Sequence, residues 1–446
     1  MNRDEIDFGS GDVRRTFLKM LWPTLVGMIS MVVLNLTDGA FVGHGVGSDA
    51  LAAINIVAPG CFLLPGGVVL MFGMGASVVA SVHMSQGKQK AANINITQAI
   101  IGAELFAVLL SALMLVFPEQ SCRLFGSSDQ LLPQAIDYMW WVALLLPLGS
   151  LASVGLFIIR LDGNPKLAMW IMTGAALCNM FFDWLLIFPL QMGIKGAAIA
   201  TSGSFAVGGL VTLVYLLCYA RTVRLYRLKL SAKSLKLMLR NLWYQMRLGS
   251  SAFFGEAAIA FVMVVGNFVF IERLGEDGVA AFSLACYCFP VVFSIGNAIV
   301  VSAQPLISFA HGAGNTQRMH HALRLAIVSA LIVGVLGILL MSAGAQVVTG
   351  LFLAPGCHAY DLALTGLPVF SIGFLFIALN LVAVGYLQSI ERGRQAAVVT
   401  ILRGYLLLII AFVVLPPLFG VTGIWAAMPV AEALTCVYAL FCLGKK

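Results

Sequence analysis

The chain has 446 residues, of which 61% are hydrophobic and only 10% charged, and it carries a formal charge of +7 at neutral pH. Soluble domains run near ~45–50% apolar and ~25% charged, so this composition excludes a water-soluble enzyme and specifies a polytopic membrane protein. A basic balance can also signal nucleic acid, but here the basic residues fall into short loops between apolar runs, which excludes that partner and points to the bilayer.

The first fifteen residues are polar and no short apolar core with a small-residue cleavage site follows, so the first apolar segment is expected to stay in the mature protein. Apolar runs of the ~20 residues needed to cross a bilayer fall near 17–43, 52–84, 94–117, 134–159, 167–188, 194–219, 249–271, 279–310, 322–343, 363–388, 396–416 and 422–443. They are numbered below as spans one to twelve. Placing the N-terminus inside puts all but Arg123, Lys195 and Arg273 of the 26 Lys and Arg residues on or near the inner side, Arg3, Arg160, Arg403, Lys445 and Lys446 included. Cytoplasmic loops hold such an excess, so both termini are expected in the cytoplasm of a cell whose inner membrane carries the protein.

Between spans six and seven, residues 220–247 hold eight Lys and Arg and no acid. This is the expected linker between halves, read as an interfacial helix on anionic lipid, with docking of a partner the alternative. The domain plan is 1–219, a basic linker at 220–247, and 248–446. Sliding the sequence on itself by 227–228 residues superimposes the stretch from Val46 to Ala53 on Leu274 to Ala281, Gly87 on Gly314, and Gly193 to Ala198 on Gly420 to Trp425. The expected fold is therefore all-α, with twelve transmembrane helices in two six-helix bundles related by an internal parallel repeat. Such repeats serve transporters that alternate access about a central site.

The halves are not equivalent. Asp38 corresponds to Gly266, Asn179 to Leu406 and Asp183 to Ile410, so the N-terminal bundle carries polar groups its twin lacks. A charge at bilayer depth costs at least ~2.5–3.5 kcal/mol and marks a site. Asn179 and Asp183 are one turn apart on one face of span five. With Asp38, they are expected to share a cavity in which two carboxylates titrate as a coupled pair. The same oxygens, with Thr201 in span six, could instead ligate a monovalent cation.

Several stretches carry a resemblance: Pro23 and the run Thr37-Asp38-Gly39-Ala40-Phe41-Val42-Gly43 in span one, Arg160-Leu161-Asp162-Gly163-Asn164-Pro165 after span four, Asn179 and Asp183, and Gly193 to Thr201 entering span six. Over residues 15 to 443 the chain resembles the multidrug and toxic compound extrusion (MATE) transporters of the MOP superfamily. The resemblance implies a secondary antiporter that exports amphipathic, often cationic compounds in exchange for H+ or Na+. It also implies a cation site at Asp38, Asn179, Asp183 and Thr201, and bending of span one at Pro23. One branch of the family adds a glutamate in span seven and an aspartate in span ten. Glu256 fits the first, but span ten has no acid, with Asn380 its nearest polar substitute, which puts a second cation site in doubt.

Glu256, Asn35, Glu104 and Glu432 are further possible contacts for substrate or a second cation. The nine cysteines show no paired spacing and read as small core residues, and neither a metal, a cofactor nor an obligate protein partner is expected. Three other functions compete. A lipid-linked precursor flippase would call for cations inside the N-terminal bundle, an intramembrane enzyme for clustered His, Asp or Arg, and a channel would not explain one polar half.

Overall fold

The computed structural model describes residues 6–229, 231–350 and 352–444, save the Ser48 side chain; Arg3, Lys445 and Lys446 of the charge count lie outside the described residues. All regular structure in the described residues is helical. Among the described residues, ten helices are long and apolar enough to cross a membrane: Val13–Gly45, Asp49–Ser85, Gln89–Val116, Leu132–Leu161, Pro165–Ile187, Gly193–Tyr219, Ala232–Gly312, Thr316–Ala343, His358–Ser389 and Gly393–Gly444. Two of them are double. Gly275 (φ 67°) breaks the 81-residue helix into spans seven and eight, and Gly420 (φ 58°) divides spans eleven and twelve. The result is the twelve spans read from the sequence.

Left-handed backbone recurs at the repeat offset: Gly47 and Gly275, Gly87 (72°) and Gly314 (70°), Gly193 and Gly420 (both 58°), and Gly163 (81°) with Glu391 (61°). Only glycine adopts this region without a steric cost. The matched glycines in the sequence are thus matched turns in the chain.

The chain divides into two compact units, Met1–Phe253 with Ser308–Gly314, and Phe254–Ile307 with Asn315–Lys446. In the first, one apolar cluster gathers Val42, Val57, Tyr138, Met139 and Ile187 from spans one, two, four and five. A second gathers Phe72, Ile96, Ile158, Leu161, Ala168 and Leu242. Apolar burial does not drive helix association within lipid, so close packing must do so. Spans four and six accordingly touch through backbone, where a Cβ added to Gly209 would overlap the Leu148 carbonyl.

Local sequence sets the helix starts. Asp12, Asn164, Ser231 and Asn315 each accept an amide N–H of the first turn with their side-chain oxygens, meeting donors that the helix leaves unpaired. Pro23 is buried within span one, where it cannot donate to the preceding turn. Beside it, the Thr24 hydroxyl donates back to the Met20 carbonyl at 2.8 Å. The helix is nevertheless continuous from Val13 to Gly45.

The basic segment, expected as a helix, has no regular structure over residues 221–229 and is helical from Ala232. Its irregular part is bonded to spans three and four. Asp162 accepts from the Tyr215 hydroxyl (2.6 Å) and from the amides of Arg221, Thr222 and Val223 (3.2, 2.7 and 2.9 Å), while Asn93 and Thr97 accept from the amides of Arg224 and Tyr226. Its helix continues along span three, where buried Gln245 donates to the Asn95 carbonyl and side chain, both at 3.1 Å.

One residue of the charge count does not belong at an interface. Arg403 is 5% exposed, about 15 Å along span eleven from Gly393, and it is paired with Glu432. Its neighbours rather than its charge decide where it sits, so it carries no topological information.

Candidate functional site in the N-terminal unit

Spans one, five and six bring Asp38, Asn179, Asp183 and Thr201 together. Asn179 and Asp183 are fully buried, Thr201 is 5% exposed and Asp38 is half-buried. Asn179 Nδ2 donates to Thr201 Oγ1 at 3.2 Å, and Thr201 Oγ1 donates to Asp38 Oδ1, also at 3.2 Å. The carboxyl groups of Asp38 and Asp183 stand within hydrogen-bonding reach of each other.

The acceptors left over decide what the cluster can do. Neither oxygen of Asp183 nor Asn179 Oδ1 meets a protein donor at full hydrogen-bond geometry. Two ionised carboxylates at 4 Å repel by on the order of 4 kcal/mol at an effective dielectric of 20. A proton between them, or a small cation among these oxygens, removes that repulsion. The arrangement can therefore take up one positive charge, and its oxygens suit either a proton or a hard monovalent ion.

Tyr138 was not foreseen. It is 1% exposed on span four, with its hydroxyl beside Thr201 and the two aspartates. A lone tyrosine in an apolar run has no spacing partner to flag it, so only the rotation of span four reveals it.

The other foreseen residues lie apart. Asn35 is exposed, one turn before Asp38. Glu104 of span three faces Ser150 of span four. Ser150 is twelve residues beyond Tyr138, or about 18 Å along that helix, so Glu104 is not part of the cluster. Glu256 and Glu432 belong to the other unit. Glu256 is half-buried, on the stretch whose Phe254 carbonyl accepts from the Tyr405 hydroxyl at 2.9 Å. Glu432 accepts from Arg403 Nε (3.0 Å), Arg403 Nη2 (2.9 Å) and Asn380 Nδ2 (2.7 Å), so its charge is neutralised inside the protein.

The twin positions explain why only one half holds the cluster. Gly266, the counterpart of Asp38, lies against the Phe282 ring, with which any Cβ would overlap. Leu406 and Ile410, counterparts of Asn179 and Asp183, are 50% and 46% exposed. A π-turn over Leu402–Leu406 rotates span eleven at that point.

Comparison with known proteins follows the repeat. The MatE family model matches the chain twice, over residues 23–185 and 252–414. The multidrug export protein MepA of Staphylococcus aureus (strain MSSA476) is 24% identical over 444 residues, covering 97% of this chain and 94% of that protein. A solved MATE structure in the straight conformation superimposes with a TM-score of 0.89 at 20% identity, covering 99% of this chain and 98% of the other. One in the bent conformation gives 0.86 at 20% identity, covering 97% and 95%. With both halves matched by one family model, the chain belongs to the MatE (MATE) family.

Proposed function

We propose that the protein is a secondary antiporter of the cell membrane that exports small amphipathic compounds by alternating access, driven by inward movement of H+ or Na+ through the Asp38 cluster. One observation carries this reading: two carboxylates within hydrogen-bonding reach of each other in a largely buried polar cluster, with neither oxygen of Asp183 in a hydrogen bond of full geometry. The names of its relatives support the substrate class, since MepA is a multidrug export protein. The charge distribution supports cytoplasmic termini, with Arg403 set aside.

Coupling follows from differential affinity, because a ligand that binds both conformations equally shifts neither. With the cluster unprotonated and free of Na+, its net negative charge favours an organic cation. A proton or Na+ weakens that attraction and, by satisfying Asp38, loosens the link from span one to Thr201. Span one is the element that responds, and Pro23 gives it a point of weakness.

Proteoliposomes test this with the two gradients imposed separately. An inward proton or sodium gradient is expected to drive export of a fluorescent organic cation, and Asp38→Asn to lower that flux at least tenfold while the protein still elutes as a folded species. Undiminished flux in the variant would remove Asp38 from the mechanism.

A further inference from the structure

Arg160 lies in the last turn of span four and is 2% exposed. Its guanidinium has no carboxylate partner among the described residues. Nη2 donates to the Met172 sulfur at 3.5 Å, a weak acceptor, and Nε has none. Asp162, two residues on, is already committed to the Tyr215 hydroxyl and three amides of the linker. A cation in the last helical turn is favoured by the carbonyl dipoles, which accounts for a basic residue but not for its burial. An arginine so near a helix end can extend along its stem to the interface, whereas this one turns inward. The fold does not require the charge, because the repeat counterpart is the buried, neutral Gln388.

Arg160 borders a cavity of about 190 Å3 within the N-terminal unit, lined also by Met28, Met31, Phe157, Met172 and Phe205. Methionines repack around unlike shapes, and a buried unpaired cation is costly until an anion meets it. We propose that this cavity binds an amphiphile with an oxyanion head, a carboxylate on an apolar body, its head on the Nε and Nη edge of Arg160 and its first methylenes among the methionines. The substrate class then includes organic acids and zwitterions as well as cations. An anionic phospholipid carries the same chemistry, and the test separates the two sources.

In phosphatidylcholine nanodiscs, three probes with the same twelve-carbon chain are titrated with no ion gradient: dodecanoate, dodecanol and dodecyltrimethylammonium. Dodecanoate is expected to bind at least tenfold more tightly than dodecanol. Arg160→Met should abolish the difference and Arg160→Lys should keep part of it, which shows that the charge rather than side-chain volume is read. A preference that survives in Arg160→Met, or one that is absent from the unmodified protein, overturns the proposal. So does a preference that disappears when the disc lipid is phosphatidylglycerol, since a bilayer headgroup is then the occupant. Should Arg160→Met not fold, Arg160→Gln serves. Because binding is read at equilibrium, its failure and a failure of the antiport reading are independent.

Discussion

Glu432 and Asp38 are both acids within spans, the first buried and the second half-buried, and their neighbours differ. Glu432 is closed in by Arg403 and Asn380, with the guanidinium also over the Phe293 ring at 5.6 Å. Removing one partner of such a pair strands the other charge, at a cost of about 3–5 kcal/mol. Glu432→Gln is therefore expected to lower the melting temperature of the purified protein markedly, and the double substitution Arg403→Met with Glu432→Leu to lower it less. Equal losses in the single and double variants would mean that the pair is not the stabilising contact. Asp183, by contrast, accepts no hydrogen bond of full geometry, and Asp183→Asn is expected to cost little stability but to remove ion-driven flux in proteoliposomes.

Among the elements, Asp162 fastens the irregular start of the linker to span four through the amides of Arg221, Thr222 and Val223. Asp162→Ala is expected to speed hydrogen exchange of those amides at least tenfold while leaving exchange in the spans unchanged. The turns offer a second check. A Cβ on Gly87 or Gly314 meets nothing within 4 Å, so Gly→Ala at either costs only the left-handed backbone penalty, about 1–2 kcal/mol. Melting curves should show similar losses for the two. How much of this was legible in the sequence follows from distance along the chain. Spans and repeat were readable because apolar length and turn glycines are local. Asp38, Asn179 and Asp183 stood out because each is polar where the surroundings are not. Tyr138, the Arg403–Glu432 pair and the solitary Arg160 were not readable, because each depends on how one helix is rotated against another. The π-turn at Leu402–Leu406 alters that rotation with no distinctive residue to announce it.

The molecule as a whole is a repeated fold with unrepeated chemistry. Its two units share turns, yet one buries an open pair of carboxylates and the other a closed ion pair. Orientation in the bilayer can be tested with single cysteines in a cysteine-free background: a membrane-impermeant thiol reagent should reach position 222 from the cytoplasm and position 128, in the loop held by the Arg123–Asp129 ion pair at 2.8 Å, from outside. The hydrogen-bond chain at the cluster also has a direction. Asn179 gives to Thr201 and Thr201 gives to Asp38, so each member spends its donor toward span one and turns its acceptor the other way. When Asp38 gains a proton it becomes a donor, and the hydroxyl of Thr201 is free to swing round. The amide of Asn179 then loses its fixed sense. A charge arriving at span one is in this way expected to register on span five as the flip of a dipole, and an infrared band of the Asn179 side chain is the measurement that checks it.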